Sequence, residues 1–171
     1  MNRGLKSKAE ILKGESSGLV DEGFRKTTVV EISKHQVSYI SERLRMLIPQ
    51  LASHFQVPIN MMEEPQFLRY QKGFFYRPHF DGSGKESQLA VDRRLISVVI
   101  FLNSQSDKHT AETFTGGSLA FYGLISDNGW RDYGFSLSGE EGLLVAFRAD
   151  TVHEVTPILR GKRYTIATWY R

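Results

Sequence analysis

Tyr70-Gln71-Lys72-Gly73-Phe74-Phe75-Tyr76-Arg77-Pro78-His79-Phe80-Asp81 sets a histidine and an aspartate two residues apart behind an aromatic run. The run reads as a strand, and side chains two apart on a strand share one face. An imidazole and a carboxylate side by side can hold adjacent positions on one metal ion. The expectation is a barrel built around this pair, with a third ligand and a cosubstrate anchor supplied from elsewhere in the chain.

Downstream, short runs of β-branched, aromatic and aliphatic residues recur. They are Leu95–Leu102, Ser118–Tyr122, Leu143–Phe147, His153–Ile158 and Tyr164–Tyr170, and they join Phe67–Gln71 and Phe74–Phe80. Clusters of Gly, Asn, Asp and Ser separate them, for example Asp81–Gly84 and Ser138–Gly142. Many short strands punctuated by turns predict a sandwich or jelly roll rather than an alternating parallel fold.

Upstream, Ser33 opens a helix. Ser33 and Gln36 have capping-box spacing, and Ile32 and Val37 stand where a hydrophobic staple puts them. Val37, Ile40, Leu44, Leu47 and Leu51 form one apolar face, to be buried against a sheet. Pro49 should kink the helix or restart it as a second one reaching about Phe55. Residues 1–26, rich in Lys, Ser and Gly, read as a mobile arm with one short helical turn around Ala9–Leu12. Thr27–Ile32 reads as a short strand or extended lead-in. Residues 27–171 form the single domain.

Composition narrows the chemistry. The 171 residues contain no cysteine. Disulfides, thiolate metal sites and cysteine catalysis are therefore excluded, and a metal must be held by His, Asp or Glu. The net charge of +3 comes with no dense basic stripe, so nothing points to nucleic acid. No apolar run reaches membrane-span length and no secretory leader is visible, so the expected location is cytoplasmic.

Among the five histidines, His35 and His54 fall in the helical region, and His109 sits in a polar stretch. His79 and His153 each stand at a strand boundary beside a turn. Two histidines and a carboxylate on a β-scaffold, with other positions open, meet the requirement of a non-haem Fe(II) oxygenase. Arg163 opens the last strand among apolar neighbours, an unusual place for a charge without a partner. Its planar fork suits the far carboxylate of a 2-oxo acid. Taken singly, each signal has an ordinary explanation. His-x-Asp is common, a histidine before a strand often caps it, and an arginine on a terminal strand often reaches to solvent. Their order along the chain is what joins them.

At these residues the chain resembles the iron- and 2-oxoglutarate-dependent dioxygenases of the prolyl 4-hydroxylase type. Tyr70-x-x-Gly73-x-x-Tyr76-x-Pro78-His79-x-Asp81 resembles that family's metal-binding strand, and Arg94 to Asn103 its next strand. Gly116-Gly117 resembles its hairpin. His153-Glu154-Val155-x-Pro157 and Arg163-Tyr164-x-Ile166-x-x-Trp169-Tyr170 resemble the C-terminal half of the oxygen-sensing and ribosomal-protein prolyl hydroxylases. Arg25-Lys26-Thr27 resembles an upstream segment. Two departures stand out. Collagen-type members usually carry Lys at the position of Arg163, and the usual acidic residue after the Gly-Gly pair is Ser118 here.

The resemblance implies a mainly β fold with supporting N-terminal helices, a double-stranded β-helix of the jelly-roll, cupin-like kind. It implies Fe(II) bound by His79, Asp81 and His153. It implies 2-oxoglutarate paired through its C5 carboxylate with Arg163 and hydrogen-bonded by Tyr70, with Thr165 and Val98–Phe101 lining its pocket. O₂ is the second cosubstrate, and L-ascorbate enters as a candidate reductant. The implied reaction is hydroxylation of an unactivated C–H bond, favouring a proline in a peptide or protein, with 2-oxoglutarate converted to succinate and CO₂. Segments 82–93 and 104–115 are candidate substrate contacts. Three rivals stay open at this point: hydroxylation of a free amino acid or other small molecule, a non-catalytic metal-binding β-barrel module, and a zinc hydrolase.

Overall fold

The computed structural model describes residues 6–8, 11–13, 16–19, 23–83, 89–108, 110–126, 129 and 133–171. In chain order, β1 (Lys6–Lys8), β2 (Ile11–Lys13), β3 (Ser16–Leu19), β4 (Arg25–Lys26) and β5 (Thr28–Val30) precede α1 (Lys34–Arg45) and α2 (Ile48–Phe55). The middle of the chain supplies β6 (Gln66–Gln71), β7 (Phe75–His79), a 3-10 turn (Ala90–Arg93), β8 (Ile96–Phe101) and β9 (Thr115–Gly116). There follow β10 (Leu119–Phe121), β11 (Phe135–Leu137), β12 (Leu144–Arg148), β13 (His153–Val155), β14 (Ile158–Arg160) and β15 (Lys162–Tyr170).

Two antiparallel sheets dominate. The major one runs β1-β5-β6-β15-β8-β12 and the minor one β11-β10-β13-β7-β4. They enclose a core of Leu68, Tyr70, Phe101, Phe114, Leu119, Phe121, Phe147, Val155, Ile158, Ala167 and Trp169. Burying a large apolar side chain stabilises a fold by roughly 1.5–3 kcal/mol, so this interior dominates the fold's stability. The architecture is the expected double-stranded β-helix with helical support.

β15 is the hinge of the design because it is buried almost throughout and borders both β6 and β8. Its alternation divides two cores. Ala167 and Trp169 face the barrel, while Ile166 and Tyr170 join Leu44, Leu51, Met62, Phe67, Ile96 and Val98 beneath the helices. The helix signals hold. Ser33 and Gln36 form a complete capping box, α1 stops at Arg45, and the chain restarts as α2 with Pro49 in its first turn. Pro49 fits there because the first-turn N–H groups have no helical partner to lose. The Tyr170 hydroxyl donates to the Leu44 carbonyl at 2.8 Å and fastens α1 to the sheet.

Three expectations change. The helical turn around Ala9–Leu12 lies partly outside the described residues, and Ile11–Lys13 is a strand paired with β3. Arg25 and Lys26, read as the end of the arm, pair with β7 in the minor sheet. His153–Ile158 is two strands rather than one, broken at Thr156-Pro157, where proline cannot donate to a ladder. No helix among the described residues is long and apolar enough to cross a membrane.

Candidate metal centre

His79 and His153 are direct cross-strand partners on β7 and β13. The pairing slips between them and the next pair, Val155 with Tyr76, so two residues of β7, Arg77 and Pro78, oppose one of β13, Glu154. This is a bulge on β7 around Arg77 and Pro78, a position that tolerates proline's missing N–H. It resets the alternation, so Tyr76 and His79 both turn inward and stack, with ring centroids 3.4 Å apart at 18°. Arg25 lies over the Tyr76 ring at 4.7 Å. Burial pushes the Tyr76 phenol up to about 12, although the Arg25 charge opposes the rise.

Asp81 lies just past the end of β7, in a bend rather than on the strand. The Asp81 and Gly82 N–H groups both donate to the Ala149 carbonyl, at 2.9 and 3.1 Å. This seats the carboxylate between the two imidazoles. His79 Nε2 is 3.6 Å from Oδ1 and His153 Nε2 is 3.5 Å from Oδ2. Among the described residues, this trio is the one group of three or more His, Cys, Asp or Glu able to hold a metal ion, with its ligand atoms all within 4.8 Å.

The surroundings prepare both imidazoles. His79 Nδ1 lies 2.7 Å from the Arg77 carbonyl and His153 Nδ1 3.0 Å from the Thr151 carbonyl. A carbonyl can only accept, so each Nδ1 carries the proton and each Nε2 lone pair faces Asp81. Burial lowers the His153 pKa and favours the neutral ring a metal requires, against the pull of Asp81. For Asp81, burial acts upward. The adjoining imidazoles, His79 before His153, and the Ser97 hydroxyl outweigh it and hold the carboxyl well below the usual carboxylate range. Ser97 Oγ donates to Oδ2 at 2.7 Å.

Behind the trio lies a second feature. Arg163 is 1% exposed. Its guanidinium carbon is 5.2 Å from the Tyr70 ring centre and 4.8 Å from that of Phe101. Its buried Nε has no hydrogen-bond partner. Burial lowers its pKa to about 10, with Tyr70 acting in the other direction. Tyr70 is its cross-strand partner on β6, and Thr165, two residues on and equally buried, pairs with Leu68 and Phe101. The sequence-predicted pocket residues are thus brought together, with one correction. Along Val98–Phe101, Phe101 and Val99 face the barrel, whereas Val98 and Ile100 pack toward the helices, because alternate residues take opposite faces.

Gly117 makes room for Ile158 beside this arginine. Its φ is +66°, and a Cβ there would overlap Ile158 Cδ1 and stand 3.4 Å from Arg163 Cδ. Gly117→Ala is expected to destabilise the protein by about 2–5 kcal/mol, combining left-handed backbone strain with overpacking. A fall in the denaturant midpoint at unchanged slope checks it.

His35 and His54 are exposed and take no part, and His109 lies outside the described residues. Of the segments expected to contact substrate, 84–88 also lie outside them. Ser118 shares hydrogen bonds with Gln105, whose carbonyl oxygen also accepts from the Gly139 N–H. Ser97, the Ala149 carbonyl, Glu63 and Arg94 were not singled out in the sequence. Ser97 had a usable signal, a lone hydroxyl inside an apolar run.

The family model of the 2OG-Fe(II) oxygenase superfamily matches residues 65–171, which include all three members of the trio and Arg163. A candidate prolyl 4-hydroxylase of Acanthamoeba polyphaga mimivirus is 26% identical over 95% of this chain and 68% of its own length. A PKHD-type hydroxylase of Shewanella baltica is 30% identical over 61% of this chain, which spans only 41% of that relative. Two solved structures share the fold. A prolyl hydroxylase from Trichoplax adhaerens, in complex with a hypoxia inducible factor peptide fragment, aligns with a TM-score of 0.71 at 20% identity, covering 98% of this chain and 70% of that one. A prolyl-4-hydroxylase from Pseudomonas putida aligns at 0.64 and 24% identity over 88% and 74% of the two chains. Fe(II), 2-oxoglutarate and O₂ are accordingly the cofactor set that goes with this fold and this trio, and the chain belongs to the 2OG-Fe(II) oxygenase superfamily.

Proposed function

We propose that this chain hydroxylates a prolyl residue in a peptide or protein, with His79, Asp81 and His153 as the Fe(II) ligands. Arg163 pairs with the C5 carboxylate of 2-oxoglutarate, and Tyr70 and Thr165 flank it. The observation that carries the reading is the conjunction of a two-histidine, one-carboxylate cluster and a fully buried arginine whose Nε has no hydrogen-bond partner, in one barrel.

The donor chemistry fits the metal. Two Nε2 lone pairs and a carboxylate held as an anion are the borderline and hard ligands of a non-haem iron site. The orphaned Nε of Arg163 fits an anion, because a buried unpaired cation is costly until a carboxylate satisfies it. When bound, Fe(II) and 2-oxoglutarate activate O₂, coupling decarboxylation to succinate and CO₂ with insertion of one oxygen into a C–H bond. The chain's own residues do the positioning. The Arg77 and Thr151 carbonyls fix the imidazole tautomers, Ser97 orients Asp81, and Phe121 and Phe147 wall the site beside His153. On this reading residues 27–171 are the catalytic unit, and the strand Arg25–Lys26 belongs with them because it pairs with β7. The prolyl substrate is supported by the names borne by the relatives, and a peptide by the ligand in the Trichoplax structure.

The test is anaerobically purified protein with Fe(II) and labelled 2-oxoglutarate, then O₂ and proline-containing peptides or free proline. Succinate release stimulated by peptide, with a one-oxygen mass increase at proline, is expected. Absence of both succinate and the visible iron–2-oxoglutarate band would overturn the assignment.

A further inference from the structure

The Asp81–Gly82 turn rests on an arginine. A Cβ on Gly82 would stand 2.5 Å from the Val91 carbonyl oxygen and 2.7 Å from Arg94 Cβ. Arg94 NH1 donates to the Asp81 carbonyl over 3.4 Å, a long bond that holds only while the guanidinium is kept in place. Two contacts keep it there. Glu63 takes Nε at 2.9 Å and NH2 at 2.6 Å, one on each carboxylate oxygen. The Trp169 ring lies against the guanidinium at 3.8 Å.

Glu63 is anchored in its turn. Its N–H donates to the Trp169 carbonyl at 2.8 Å, and its carbonyl accepts from the Thr168 hydroxyl at 2.7 Å. The Glu63 and Arg94 side chains are 19% and 14% exposed. A bidentate carboxylate–guanidinium pair this sheltered fixes direction as well as distance. A rigid line therefore runs from β15 through Glu63 and Arg94 to the backbone of Asp81.

We propose that Glu63 is a positioning residue for the metal centre. Its carboxylate clamps Arg94, and Arg94 sets the height of the Asp81 turn against His79 and His153. The inference rests on the reading of that trio as metal ligands. Loss of the clamp frees Arg94 to swing on the Trp169 ring, which leaves the turn's backbone to the Ala149 carbonyl and the carboxylate to Ser97, and lets the turn shift. Displaced support of a ligating carboxylate typically costs about 10–100-fold in metal affinity.

Cobalt(II) serves as the probe, because its visible absorption reports ligand geometry. Wild type, Asp81→Ala, Glu63→Ala and Glu63→Gln are titrated with Co(II), and thermal unfolding is followed without metal. Glu63→Ala is expected to bind about 10–100-fold more weakly with an altered band. Glu63→Gln, which keeps one acceptor and the shape, should recover part of both and serves if the alanine variant folds poorly. If both Glu63 variants bind Co(II) as wild type does while only their melting temperature falls, the clamp is merely structural and the proposal fails. If Asp81→Ala binds as tightly as wild type, or wild type binds no metal, the reading of the trio fails first and takes the proposal with it.

Discussion

Asp81→Ala is expected to remove metal binding and 2-oxoglutarate turnover together while leaving the fold standing. In the metal-free protein Asp81 accepts from Ser97 and lies between two imidazoles, and burial favours the neutral form of His153. Removing the carboxylate therefore strands no buried ion pair partner, the situation that destabilises by about 3–5 kcal/mol. It leaves the Ser97 hydroxyl unsatisfied, a cost of about 1–3 kcal/mol. On the proposed assignment the metal would lose its one carboxylate ligand from the protein. Its affinity should fall by more than the roughly 10–100-fold typical of an outer-shell change, and Ser97→Ala should show that smaller effect. Fe(II) titration and succinate production measured on both variants, beside their melting temperatures, check the ordering. Asp81→Ala retaining wild-type iron affinity would remove the trio from the mechanism.

The parts of this site that follow local rules were legible in the sequence. The Ser33 cap, the restart at Pro49 and the alternating runs depend on residues a few positions apart. His79, Asp81, His153 and Arg163 stood out because polar groups beside apolar strands need a reason to be there. What escaped depends on register and on departures from period two. The β7 bulge places Tyr76 and His79 on one face, which no alternation rule predicts. Asp81 reaches the site through a bend anchored on Ala149, 68 positions later. The facing of Val98 toward the helices follows from the pairing of β8 with β15, where a shift of one residue would have exchanged pocket for helix contact. The Glu63–Arg94 pair joins residues 31 apart, and neither sits in a pattern that distinguishes it from surface charge. β11 was hidden for another reason: Phe135-Ser136-Leu137 is too short for periodicity to register.

Arg163→Met should strengthen the metal-free fold and weaken 2-oxoglutarate binding, and the opposite signs are the point. Arg163 carries its charge in the barrel at 1% exposure, and its Nε bonds to nothing. Burial drives its pKa down to about 10, the mark of a cation short of solvation. The Tyr70 and Phe101 rings return part of that cost, up to about 2 kcal/mol for a desolvated cation–π contact. Methionine matches the stem, fills the same space and needs no partner, and exchanging a buried ionic group for a well-packed apolar one is often stabilising by about 1–4 kcal/mol. A carboxylate seated against the guanidinium reverses the account, because a charge-assisted fork–fork pair satisfies both groups. Truncating one partner of such a buried pair costs about 2–5 kcal/mol, a loss of roughly thirty-fold to several thousand-fold in affinity. Thermal unfolding with and without 2-oxoglutarate reads both effects at once. Wild type should melt lower than the variant when bare and gain stability with ligand, about 2.7 kcal/mol at a hundred times Kd, while the variant should be indifferent to it. Arg163→Lys keeps the charge but not the planar fork, so it should bind 2-oxoglutarate with intermediate affinity. If the methionine variant binds 2-oxoglutarate as wild type does, the orphaned Nε of Arg163 serves some other anion, and the cosubstrate must be held by a different part of the barrel.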